Sequence, residues 1–189
     1  MKKIPIKIVE LTSPSGKKGK EVMLDVFDYY EIENAQKKLS EFKKKYFETV
    51  EKASKIMPKK KPERNTYHFW AIGKLLYDFN KSIENEFEIK NYTHAIIRDF
   101  GLYDRSHVGH ILQFGEFFTK KDLDNSIPMS TYLELIWKAS FFKKLGLLEK
   151  EKKRLLKMSK EKTLPPHKTY REELNQLVKK LEDKVKEKK

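Results

Sequence analysis

No cysteine occurs among the 189 residues, which excludes disulfides, thiolate metal sites and cysteine nucleophiles and leaves the redox compartment open. The opening MKKIPIKIVE has a basic start but lacks the apolar run of 7 to 15 residues that a secretory leader needs. Nowhere do about 18 apolar residues follow one another, so no segment is expected to span a bilayer. A soluble, cytoplasmic protein is the expectation. Also missing are a nucleophile elbow, a phosphate-cradling glycine loop, an HExxH pair and an EF-hand loop. Carboxylates are plentiful, but they alternate with lysine as on solvated helix faces. These absences point away from an enzyme, and they imply no cofactor.

What the chain has in excess is positive charge: 42 Lys and Arg against 28 Asp and Glu, a formal +14. Such an excess attracts polyanions, either nucleic acid or an anionic membrane surface. Arginine is confined to positions 64, 98, 105, 154 and 171, and a lysine bias of this kind also marks A+T-rich or thermophilic sources. The apolar helix faces lack the dense Leu and Trp of membrane-surface anchors, so nucleic acid is the favoured polyanion.

The length allows one sizeable core or two small ones. In residues 1–31, IPIKIVEL and EVMLDVFDYY are β-rich runs on either side of Pro14, Gly16 and Gly19, the pattern of a β-hairpin. A lone hairpin is marginal in water; it must pack on helices or pair with another chain. In residues 32–63, the apolar Ile32, Ala35, Leu39, Phe42, Tyr46, Val50, Ala53 and Ile56 recur every three or four positions, as in an amphipathic helix or a short coiled-coil seam. The basic turn PKKKPER then ends the helix.

Residues 64–146 are expected to form a helical domain. A helix through TYHFWAIGKLLYDFNKSIENEF puts Phe69, Ile72, Leu75, Leu76 and Phe79 on one face. A later one, in MSTYLELIWKASFFKKLG, has Ser130 or Thr131 as N-cap and Gly146 as C-cap. Residues 147–189 add two charged helices separated by TLPPHK, whose prolines break them. In the last helix Leu174, Leu177 or Val178, Leu181 and Val185 make a narrow apolar stripe, enough for docking or weak pairing. A homodimer through residues 32–57 or through this stripe is therefore expected. The fold class is mainly α: a helical bundle with a helix-turn-helix and a small N-terminal β-hairpin.

The helix-turn-helix is read from HAIIRDFGLYDRSHVGHILQFGEFF, residues 94–118. Ala95, Ile96 and Phe100 can face a core, and Gly101 suits the left-handed residue that ends a helix. Asp104 or Ser106 can cap the next helix, where Val108, Ile111, Leu112 and Phe118 fall on one side. Arg105, Ser106, His107, His110 and Gln113 turn largely away from them, and side chains at the start of such a second helix contact base edges. Arg binds guanine bidentately, Gln binds adenine, and Ser or His contact bases or phosphates. Histidines near phosphates would also gain charge below about pH 6.5 and tighten binding. A turn one residue longer than usual is needed to keep His107 and His110 off the core positions.

Other readings compete. His107 and His110 could hold an ion with Asp104 or Glu116, but two histidines without a fixed third ligand are a weak metal signal, and no metal is expected. Trp70, Tyr77, Phe79, Tyr92, Trp137, Phe141 and Phe142 could stack on bases, although at helical spacing they read first as core. Lys59, Lys60 and Lys61, and the run KEKKRLLKMSKEK, could track phosphates or simply keep the chain soluble. DNA is the expected partner. The alternative is an assembly protein whose helices make partner contacts and whose basic surface is incidental.

HFWAIGKLL, followed by IIRDFGLYDRSHVGHILQFGEFF and IPMSTYLELIW, resembles the helical N-terminal domain of bacterial and archaeal proteins that carry a PD-(D/E)XK nuclease domain behind it. The resemblance covers about residues 67–137. It implies that the helical domain engages DNA or a partner, with Arg105 and Ser106 opening the contact helix. No Asp followed by a Glu-x-Lys strand pair comes after residue 137, so nuclease activity does not carry over. The role implied is a regulator or an accessory of a mobile or defence element.

Overall fold

A computed structural model describes residues 3–8, 22–24, 32–58, 60–90, 96–97, 99–102 and 104–186, with side chains except at 8, 22–24, 32–33, 61 and 90. The fold is mainly α, as the helical periodicity requires. The chain divides into two compact units, one of residues 1–64 and 71–116, the other of residues 65–70 and 117–189.

In the first unit a three-stranded sheet has the order β2-β1-β3, with β1 at Ile4–Ile8, β2 at Val22–Leu24 and β3 at Phe87–Lys90. β1 and β2 pair antiparallel with Ile6 opposite Leu24, as the hairpin reading requires. Its turn formers Pro14, Gly16 and Gly19 lie outside the described residues. The third strand is a correction. The helix expected to run through Phe87 ends at Ile83, and FEIK joins β1 in parallel, Ile4 opposite Phe87 and Ile6 opposite Ile89. The reason is a change of period: Phe87 and Ile89 alternate with Glu88, so a strand lays both on one face where a helix would splay them.

That face is covered by α1 (Ile32–Ile56). Phe42 lies 5.3 Å from Phe87, and Tyr46 sits edge-on to Phe79 and Phe100. Ala35, Phe42, Tyr46, Ala53 and Met57 are all buried, so much of the α1 stripe serves as a core contact within its own unit. The Tyr46 hydroxyl donates to Asp99 Oδ2 at 2.6 Å, fastening α1 to the segment before Gly101.

α2 (Thr66–Ile83) and α3 (Arg105–Phe117) approach unusually closely. A Cβ placed on Gly73 would overlap the Ile111 carbonyl oxygen, and one on Gly115 would overlap the Gly73 backbone. Only glycine at both positions lets the two backbones meet this way.

The second unit stacks α4 (Met129–Lys144), α5 (Leu148–Lys160) and α6 (His167–Lys186) around Tyr132, Leu135, Phe142, Leu155, Tyr170 and Leu174. Helix α4 starts at Met129, two or three residues earlier than a Ser130 or Thr131 cap would place it. Pro128 takes the N-cap place, its carbonyl receiving Thr131 and Tyr132 N–H at 3.0 and 3.3 Å. Thr131 is buried in the first turn of α4, past the N-cap place. Gly146 ends α4 as expected, with φ +68° and Leu147 N–H closing onto the Phe142 carbonyl at 2.8 Å.

Candidate nucleic-acid interface

The hinge of the motif is set by local chemistry. Gly101 has φ +64°, and Leu102 N–H reaches back five residues to the Ile97 carbonyl at 2.9 Å, the bond pattern that ends a helix on a left-handed residue. Residues 91–95, 98 and 103, including Ala95 and the stacking candidate Tyr92, lie outside the described residues. Arg64 holds the hinge from behind. Its Nη1 donates to the Gly101 carbonyl at 2.7 Å and its Nε to the Pro58 carbonyl at 3.1 Å. The planar fork of arginine lets one side chain bind both, so the only arginine of the PKKKPER turn is a clamp on the protein's own backbone.

Asp104 caps α3. Its Oδ1 accepts His107 N–H at 2.8 Å and the Ser106 hydroxyl at 2.7 Å. These bonds, the His107 amide first, hold its carboxyl below the usual aspartate range. The cap places the helix start at Arg105, four positions after Gly101.

The faces of α3 then follow. Val108, Ile111, Phe114 and Gly115 are buried, and Arg105, Ser106, Gly109 and Glu116 are exposed. His107, His110, Leu112 and Gln113 are half-buried. Burial lowers the pKa of His107, with His110 adding to the shift and Asp104 opposing it; burial likewise lowers His110. The two imidazoles therefore charge only below their ordinary range, which moves the acid tightening expected at pH 6.5 to lower pH. Among the described residues no three His, Asp or Glu side chains converge as metal ligands.

Gln113 does not stand on the outward face beside Arg105. It lines an open cleft of about 430 Å³ together with Leu112 and Glu116 of α3, Tyr77, Asn80 and Lys81 of α2, Phe87 and Ile89 of β3, and Lys3. Its carboxamide and that of Asn80 form no hydrogen bond among the described residues. Sequence reasoning missed this cleft because it depends on β3 and on the glycine crossing. The signal lay in Gly73 and Gly115, single glycines inside otherwise apolar helical patterns.

The lysine tracts are less uniform than their sequence. Lys60 is exposed, its side chain 81% accessible, and stands 3.8 Å from Glu63. Lys59 and the Lys61 side chain lie outside the described residues. In the second tract Lys152 is buried, bonded to Glu149 at 2.6 Å and to Asp122 at 3.3 Å, and Arg154 bridges Glu151 and Glu173. Those two cations are structural. Of the aromatics, Phe79 and Phe142 are core, whereas Trp137 is 46% exposed with the Arg171 guanidinium 5.6 Å from its ring. Arg171 is fixed there by the buried Glu134, whose Oε1 also lies 2.8 Å from His167 Nε2.

No protein-family model, no curated protein and no solved structure matches the chain. No helix among the described residues is long and apolar enough to cross a membrane.

Proposed function

We propose that the protein binds duplex DNA without enzymatic activity, the N-terminal half of α3 entering the major groove. The observation that carries this is the exposure of Arg105 and Ser106 on the first turn of a helix that follows a left-handed glycine hinge. That is the end from which helix-turn-helix proteins reach base edges, and arginine there pairs with the two acceptors of guanine. Gly109 supports the same reading: it is exposed on this face, with no atom within 4 Å of where a Cβ would stand, so a base edge or phosphate can come close. The biological setting we propose is a regulator or an accessory of a mobile or defence element, in line with the resemblance noted above.

A mobility-shift titration against duplex DNA, single-stranded DNA and RNA at several salt concentrations tests it. Arg105→Ala should flatten the preference between cognate and random duplex by about tenfold, a bidentate base contact being worth about 1 to 3 kcal/mol. The salt slope should stay nearly intact, because phosphate contacts set it. A wild-type chain that shifts no duplex at low salt would refute the proposal.

One observation favours the assembly reading instead. On α6 the apolar stripe is closed only at Tyr170 and Leu174; Leu177, Val178 and Leu181 are half-buried and Val185 is exposed. If DNA binding fails, this stripe is the surface through which a partner would be sought.

A further inference from the structure

We infer that the cleft between α2, α3 and β3 is a binding site for a nucleobase carrying its phosphate, separate from duplex reading by the start of α3. Its volume of about 430 Å³ falls in the range of small-molecule sites, which are mostly apolar with a few convergent polar groups. The apolar floor is Phe87, Ile89 and Leu112, and the polar groups are unusually specific in kind. Asn80 and Gln113, from two different helices, present carboxamides that no described protein group uses. A carboxamide has adjacent donors and an acceptor, the pattern that pairs with the edge of a planar heterocycle.

The charges around them fit the same ligand. The Tyr77 ring gathers two cations at the cleft, with Lys74 and Lys81 Nζ over it at 5.3 and 5.9 Å from its centroid. Lys3 and Lys81 supply cations for a phosphate, yet Lys81 is also bonded to Glu84 at 2.7 Å, and Glu116 shares the rim. Two carboxylates make the cleft a poor trap for a bare phosphate. The two carboxamides supply the acceptors for a base's exocyclic amino groups, and Lys3 and Lys81 the charge for its phosphate. The ligand is either a free mononucleotide or an unstacked nucleotide of a single strand, and both carry the same chemistry.

Calorimetric titration of the full chain with the four common nucleoside monophosphates tests the site, with ribose phosphate and inorganic phosphate as baseless probes and a single-stranded oligonucleotide as the second source. At least one monophosphate should bind, and Asn80→Ala and Gln113→Ala should each weaken it about five- to tenfold, the factor that one or two net hydrogen bonds give. Lys168→Ala, in the other unit and outside both lysine tracts, should bind as the wild type does. Tighter binding of the oligonucleotide with the same loss in Asn80→Ala assigns the strand as the source; tighter binding of the monophosphate assigns the free nucleotide. Amide shift changes in the wild type should centre on residues 77–89 and 112–116, which keeps the test independent of any variant's folding. The inference is overturned by no binding at millimolar nucleotide, by baseless probes that bind as well, by shift changes elsewhere, or by both variants binding like the wild type. Asn80 is remote in sequence from the Arg105 turn, so loss of nucleotide with intact duplex shifting, or the reverse, tells failure of one proposal from failure of the other.

Discussion

At the scale of single residues, glycines do opposite things on the two faces of α3. Gly73 and Gly115 let the α2 and α3 backbones touch, and a methyl group on either one meets main-chain atoms that belong to a helix and cannot move alone. Gly73→Ala should therefore cost at least the 1 to 3 kcal/mol typical of overpacking, about 2 kcal/mol or more, read as a lower denaturant midpoint. Gly109 lies on the same α3 with open space beyond it, so Gly109→Ala should stabilise by about 0.5 to 1 kcal/mol through helix propensity alone. If α3 reads DNA, that stabilised variant should also bind duplex more weakly. A Gly73→Ala variant that keeps or gains stability would mean the crossing is not as close as described. The left-handed roles of Gly101 and Gly146 were legible in the sequence, because each follows an apolar periodic run that has to stop. The Gly73–Gly115 contact was not, since a glycine inside a helix pattern does not say which backbone approaches it. Arg64 escaped for a similar reason: it stands in a lysine-rich turn, and only the fold brings the Gly101 carbonyl to it.

At the scale of elements, α1 shows how one pattern serves two readings. An apolar residue every three or four positions is the same signal whether the stripe meets a second chain or the sheet beside it. Here Phe42 and Tyr46 meet Phe79, Phe87 and Phe100 of their own unit, because the sequence also supplies a sheet with an apolar face to receive them. Tyr46→Phe should expose the need for its hydroxyl: losing the bond to Asp99 should cost about 1 to 2 kcal/mol with the ring packing kept, and a calorimetric melt measures it. The α3 helix carries a pH signature of its own. Burial keeps the His107 pKa below 6.5 in the folded state, so the unfolded chain binds the proton more readily. Stability is then complete above pH 6.5 and falls as pH drops from there through the lower folded value. His107→Gln should remove that part of the acid loss, seen as a flatter stability profile below pH 6.5, whereas an unchanged profile would place the imidazole in water.

At the scale of the whole molecule, the charge excess is not evenly spread. Residues 117–189 hold 20 Lys and Arg against 11 Asp and Glu, whereas residues 1–116 hold 22 against 17. Sequence alone reads every lysine of a tract as equivalent, and net charge predicts attraction for polyanions without saying which cations are available. The fold divides them. Lys152 has a side chain only 4% accessible and two carboxylate partners, while Lys60 stands in solvent beside a partner at 3.8 Å. Removing Lys152 leaves Asp122, whose side chain is only 15% accessible, without its cation, and a shielded charge stranded in that way is costlier than a lost surface pair. Lys152→Ala should lower the thermal midpoint and leave the salt dependence of DNA binding unchanged. Lys60→Ala should do the opposite: no change in melting, and a slope of log K against log salt reduced by about 0.9 if it contacts one phosphate of a B-form duplex. The pair is measured with melts and with shift titrations across a salt series on the same two variants. An unchanged slope in Lys60→Ala would show that this exposed lysine is there for solubility and that the polyanion docks elsewhere, and a shallower slope in Lys152→Ala would show that its cation reaches phosphate after all.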